Sequence, residues 1–124
     1  MTKKTVLVVE DDPDHRDTVA TSLPHPGYGV LEAQDGAEGV DAAVRHRPDL
    51  VLMDACLPVM DGWAATQRLK SDPGLPAIPV VILTAAALEE DREPSECAGC
   101  DRYLTKPCEP LTVLAEVRHL IGAA

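Results

Sequence analysis

The pattern that most limits what this chain can become is the return of short apolar runs at helix-length intervals. They fall at Thr5–Val9, Val30–Ala33, Leu50–Met53, Pro79–Leu83 and Tyr103–Thr105. Short continuous runs of this kind fit strands buried on both faces, and the gaps between them are long enough for the crossover that a parallel pair requires. Strict alternation of strand and helix predicts an α/β domain: a doubly wound, five-stranded parallel sheet covered on both sides, with right-handed crossovers. For five strands the common order is 2-1-3-4-5. No linker, repeat or low-complexity segment interrupts the pattern, so residues 1–124 read as one domain. A chain of that length can bury roughly two thirds of the surface its unfolded form exposes.

The helices have start and stop signals that can be named. Asp12 before Pro13 places an N-cap ahead of a first-turn proline, opening a helix to about Leu23 with Val19, Ala20 and Leu23 inward. Asp35-Gly36-Ala37-Glu38 is a capping box, leading to Ala37, Val40 and Val44 on one face. Asp61 is expected to cap a third helix ending near Ser71. Pro110 opens a last helix whose Leu111, Leu114, Val117 and Ile121 share a side before Gly122 stops it. The fourth helical segment, from Ala85 to Cys97, contains Pro94, which removes a hydrogen bond from a helix interior at ~3 kcal/mol or more. That helix is expected to start late, be short or fray.

Charge and cysteine content narrow the function classes. With 21 acidic against 11 basic residues and a net charge of −10, the chain lacks the clustered Lys and Arg of a phosphate-backbone footprint. Direct nucleic-acid binding is not expected. The most apolar window, Pro79 to Leu88, is short of the ~20 residues of a membrane helix. The Met1-Thr2-Lys3-Lys4 start runs straight into the first strand without an apolar leader, and the 4 cysteines fit reduced thiols. A cytoplasmic protein is expected.

Acids collect where such a sheet has its site. In an open parallel sheet that place lies beyond the carboxyl ends of the strands at the reversal of strand order, here between the first and third strands. The first strand ends in Glu10-Asp11-Asp12 and the third in Asp54, so segments 43 residues apart, counted from Asp11 to Asp54, deliver carboxylates to one spot. At ~4 Å, like charges repel by ~4 kcal/mol at an effective dielectric near 20. Either a proton or a hard divalent cation has to neutralise them, and an all-oxygen set favours magnesium, which keeps waters and shares itself with phosphate oxygens. An acid on a strand tip beside magnesium is an arrangement for phosphoryl transfer. The fourth strand ends at Thr84, a hydroxyl donor, and the fifth leads to Lys106, a point charge suited to phosphate.

The set "VLVVEDDPDHR", "DLVLMDACLPVMDGW", "PVVILTA" and "CDRYLTKP" resembles the receiver domain of bacterial two-component response regulators, a flavodoxin-like fold, from Thr5 to the end of the last helix. The 30 residues from Asp54 to Thr84 and the 22 from there to Lys106 fit that family. The resemblance implies a phosphoacceptor switch of a phosphorelay, in which Asp54 takes a phosphoryl group from the phosphohistidine of a sensor histidine kinase or phosphotransfer protein. It implies that Glu10, Asp11, Asp54 and the backbone carbonyl of Cys56 hold Mg2+, and that Thr84 and Lys106 contact the phosphate. It further implies that Tyr103 changes rotamer with Thr84 and that the bond before Pro107 is cis. The face made by the fourth helix, the fifth strand and the last helix would carry the output to a downstream protein or a second copy. Such a protein is a signalling receiver that catalyses only its own magnesium-dependent phosphorylation and dephosphorylation.

Plainer readings stand beside these. Glu10-Asp11-Asp12 taken alone is a solvated acidic rim, and Lys106 taken alone is a surface lysine. Cys97 and Cys100 precede a strand instead of sitting at a helix N-terminus, so packing explains them better than redox chemistry. Cys56 and Cys108 flank the expected site, where oxidation could obstruct phosphorylation. A magnesium phosphatase with an aspartyl-phosphate intermediate is the alternative enzyme, but it wants a second acid two residues after the nucleophile, where Cys56 stands. A flavin protein of the same topology would need a phosphate cradle where Glu10 and Asp11 sit. Departures from the family pattern are Pro94 in the fourth helix, Arg102 before Tyr103, and Cys56 where side chains govern access of hydrolytic water. The Met1 start favours a free-standing or N-terminal receiver.

Overall fold

The computed structural model describes residues 4–21, 28–54, 60, 62–72, 78–84, 102–105 and 110–122. Among them the apolar runs become β1 (Thr5–Val9), β2 (Gly29–Ala33), β3 (Leu50–Asp54), β4 (Val80–Thr84) and β5 (Arg102–Thr105). All pair in parallel in the order β2-β1-β3-β4-β5, as the alternation predicts. The expected strand bounds hold to within one residue. The difference that matters is at β3, where Asp54 is the last residue of the strand and pairs in register with Leu83.

The helices are α1 (Pro13–Thr21), α2 (Gly36–His46), α3 (Gly62–Ser71) and a C-terminal helix, Pro110–Ile121. Asp12 caps α1, its Oδ1 accepting from the Asp14 N–H at 3.0 Å while Pro13 takes the first helical position. The capping box at α2 forms: Asp35 is extended and its Oδ1 accepts from Glu38 N–H at 2.8 Å. Glu38 reaches back one residue further than the motif requires, accepting from Gln34 N–H at 3.3 Å. Gly122 ends the C-terminal helix at φ 85, a left-handed turn that suits glycine. The helical segment 85–97 with Pro94, the Asp61 cap and Leu23 lie outside the described residues.

Strand alternation splits the core into two layers. Leu7, Val9, Val51, Met53, Val80 and Ile82 face Ala43 of α2 and Ala65 and Leu69 of α3. Val6, Val8, Leu50, Leu52, Val81 and Leu83 face Val19 of α1 and Val113 and Val117 of the C-terminal helix. Each fully buried Val or Leu is worth about 1.5–3 kcal/mol of transfer free energy. Together the two layers hold the strand tips in place.

The apolar face of α2 is buried unevenly. On α2 Gly39 and Ala43 are buried toward the sheet and Gly36 against the Met60 backbone, whereas Val40 packs only partly against the core, Ala37 is exposed and Val44 is 46% exposed. The helix lies so close to β1 that a Cβ on Gly39 would stand 2.8 Å from Val9 Cγ2. Small residues permit that approach, and Val40 and Val44 line a groove of about 280 Å3 with Met60 and Arg68.

At the amino ends of the strands polar groups meet complementary partners. Asp49 ties β1 to β3, its Oδ2 accepting from Thr5 N–H at 2.6 Å and its own N–H donating to Thr5 O at 2.7 Å. Lys4 Nζ donates to Ile121 O and the Tyr28 hydroxyl to Gly122 O, fastening the end of the C-terminal helix.

Candidate functional site

The opposite end of the sheet gathers the predicted acids. Register runs Val8 to Leu52 and Val9 to Met53 between β1 and β3, so the next residues, Glu10 just past β1 and Asp54 at the end of β3, come side by side. Both continue the alternation of Val6–Val8 and Leu50–Leu52, the face covered by α1 and the C-terminal helix. One carboxylate oxygen from each of Glu10, Asp11 and Asp54 lies within 4.8 Å of the others. Glu10 and Asp54 are buried, at 3% and 4% exposure, while Asp11 is open to solvent.

The turn from β1 into α1 is held from several directions. Glu10 N–H donates to Ala33 O at 3.0 Å, extending the β1–β2 ladder by one bond. Glu10 Oε2 accepts from Asp12 N–H at 3.3 Å, and the Glu10 carbonyl accepts from Arg16 Nη1 at 3.0 Å. Arg16 Nε in turn pairs with Glu32 Oε1 at 3.1 Å. Asp12 therefore acts at the helix start, as its position before Pro13 implies, and Glu10 and Asp11 are the turn's contributions to the cluster.

Three carboxylates at this separation repel by about 3 kcal/mol per pair at an effective dielectric near 20. Two are buried, where like charges are screened less than at the surface. The donor set is all oxygen, one member is open to solvent, and hard cations such as magnesium prefer that combination because they retain waters. The residues fit a divalent cation.

The remaining predicted residues are placed only as far as the backbone. Thr84 ends β4, one residue beyond the partner of Asp54, and pairs with Thr105; Tyr103 pairs with Ile82 in the middle of β5. Cys56, Lys106 and Pro107 lie outside the described residues, as do Cys97, Cys100 and Cys108. Arg16 is the residue that sequence reasoning passed over. A lone arginine in the first turns of a helix looks like a solvated face, and the only available signal was its place directly after the acids in "EDDPDHR".

A family model described as response regulator receiver domain matches residues 6–118. Among curated proteins, the chain is 40% identical over 116 residues to the DNA-binding dual master transcriptional regulator RpaA of Synechocystis, covering 94% of this chain but 48% of that protein. It is 35% identical over 121 residues to the polar-differentiation response regulator DivK of Brucella anthropi, covering 98% of both. The chain thus spans about half of one relative and nearly all of the other. Among solved structures, the receiver domain of sensor histidine kinase PA1611 from Pseudomonas aeruginosa superposes with a TM-score of 0.88 at 36% identity, covering 98% of this chain and 99% of that one. That structure has a magnesium ion coordinated in its active site cleft.

Proposed function

Because the chain belongs to the response regulator receiver domains and is a phosphoacceptor signalling switch, we propose that Asp54 is the residue that accepts the phosphoryl group. The observation that carries this is the convergence of Glu10, Asp11 and Asp54 within 4.8 Å at the reversal of strand order. In this reading residues 1–124 act as one receiver domain.

Glu10, Asp11 and Asp54, with the Cys56 carbonyl, would hold Mg2+. Bound there, the ion would offset negative charge on the phosphoryl group in flight. An Asp54 carboxylate oxygen attacks phosphorus in line, the new O–P bond forming as the N–P bond to the donor's imidazole breaks. The imidazole leaves with that electron pair and takes a proton from water. The buried setting of Asp54 and its place at the end of a rigid strand fix the attacking oxygen, which is where orientation lowers the barrier.

Thr84 and Lys106 would then bind the phosphoryl oxygens, Tyr103 would turn as Thr84 shifts, and the Lys106–Pro107 bond would be cis. The modification shifts a two-state equilibrium only by its differential contacts, so those two residues set the size of the response. The change would be read at the face that includes β5 and the C-terminal helix. The donor would be a sensor histidine kinase or phosphotransfer protein, and the output a downstream protein or a second copy. No helix among the described residues is long and apolar enough to cross a membrane, which accords with a cytoplasmic setting. A magnesium phosphatase is not favoured: the matching family is that of response regulator receiver domains, and Cys56 occupies the place of the second acid.

The test is to incubate the protein with magnesium and a small acyl-phosphate donor and to weigh it intact. One added phosphoryl group that disappears in Asp54→Asn is the expected result. No added mass, or the same mass on the variant, refutes the assignment.

A further inference from the structure

We propose that Arg16 is a positioning residue for the cation site, holding the β1–α1 turn in the shape that brings Glu10 and Asp11 to Asp54. The inference rests on reading those acids as cation ligands.

Glu10 is where the chain leaves the sheet, and the bond from its N–H to Ala33 O fixes only the nitrogen side of the residue. The carbonyl side belongs to the peptide plane shared with Asp11, so whatever holds that oxygen also sets the direction in which Asp11 departs. The last β1–β3 pair is Val9 with Met53, one residue short of it. The first turn of α1 draws on a different acceptor, since Arg16 N–H donates to Asp12 O at 2.8 Å. Arg16 Nη1 meets the Glu10 carbonyl at 3.0 Å.

The guanidinium is itself aimed. Its Nε pairs with Glu32 Oε1 at 3.1 Å, and its side chain is only 18% exposed. Glu32 sits on β2 in register with Val8, so the bridge runs from the neighbouring strand across to the turn. A planar fork with several fixed donors can serve a carboxylate and a carbonyl together, whereas an ammonium is a single point. Outer groups that orient metal ligands are typically worth 10- to 100-fold in metal affinity.

Charge and positioning make opposite forecasts. An arginine next to a cation site repels the cation, so if Arg16 contributed only charge, its removal would tighten magnesium binding. If it positions the turn, its removal loosens binding although a positive charge has gone.

The experiment measures magnesium affinity of the unphosphorylated protein by calorimetry, with circular dichroism melting to verify folding. Arg16→Ala is expected to bind magnesium at least tenfold more weakly than the wild type while retaining a cooperative melt. Should Arg16→Ala fail to fold, Arg16→Lys decides: weaker binding with wild-type secondary structure supports positioning, and wild-type affinity overturns it. Equal or tighter binding by a folded Arg16→Ala also overturns it, and leaves the site reading intact. A wild type that binds no magnesium removes the site reading and this inference with it.

Discussion

The two ends of the sheet are built on opposite rules. At the amino ends, Lys4 and Tyr28 bring donors to carbonyls and Asp49 brings an acceptor to the Thr5 N–H, closing β1, β3 and the C-terminal helix on one another. At the carboxyl ends, Glu10, Asp11 and Asp54 bring like charge to like charge within 4.8 Å. Both ends hang on the same buried strands, whose Val, Leu and Ile side chains keep the tips from drifting apart. One end consolidates the fold; the other gathers like charges that a bound cation would offset. The consolidating contacts and the acid cluster are thereby separated along about five residues of strand.

Magnesium gives the largest effect that could break this contrast. A ligand that binds only the folded protein stabilises it by RT ln(1 + [L]/Kd), about 2.7 kcal/mol at one hundred times Kd. The wild type should melt several degrees higher in saturating magnesium, and Asp54→Asn should gain much less. An equal rise in both would mean that the ion acts elsewhere. Next is the effect of Asp54→Asn without any divalent ion. The substitution removes one charge from two repelling pairs of about 3 kcal/mol each at an effective dielectric near 20, against the loss of hydrogen bonds to the carboxylate. A net stabilisation on the order of 1–2 kcal/mol is expected in denaturant titration. Destabilisation would show the acids to be mutually supported, as the groups at the other end are.

At the amino end the sign reverses. Asp49→Ala removes the acceptor for Thr5 N–H, a charge-assisted bond of about 1.5–3 kcal/mol in general, at the lower end here because the contact is exposed. Stability should fall by about 1–2 kcal/mol in denaturant titration while magnesium affinity stays at the wild-type value. A loss of magnesium affinity from this distant residue would join the two ends that the structure keeps apart.

Much of this was legible because it is written in local chemistry. An apolar run ending in Asp54, the proline after Asp12 and the capping box at Asp35 are each a short pattern with one physical meaning, and the strands, helix starts and acid cluster followed from them. What was not legible depends on distance in space. Periodicity puts Val40 and Val44 on one face of α2, yet the sheet comes so near that Gly39 and Ala43 are buried there, while Val40 packs only partly against the core and Val44 is exposed. Hydrophobicity ranks the larger side chain first, whereas close approach selects the smaller. Arg16 was illegible for a related reason: a side chain bonded to a backbone carbonyl leaves no periodicity or spacing in the sequence.

The smallest expected effect probes the same contrast most finely, because it removes a single atom. Tyr28 is 3% exposed and packs in the layer with Val6 and Val8, its hydroxyl donating to the Gly122 carbonyl where the C-terminal helix stops. Tyr28→Phe keeps the ring and opens no cavity, so the change isolates the hydrogen bond. A neutral bond of this kind contributes about 1 kcal/mol net, and the carbonyl left behind can turn to water because Gly122 is half-buried. The denaturation midpoint should therefore drop by an amount corresponding to about 1 kcal/mol with an unchanged slope, since no more surface is exposed on unfolding. Magnesium affinity and phosphoryl uptake should stay as they were. If either fell with the midpoint, the end of the C-terminal helix would be coupled to the acid cluster across the sheet, and the helix, which contacts β3, would be the element that carries the coupling.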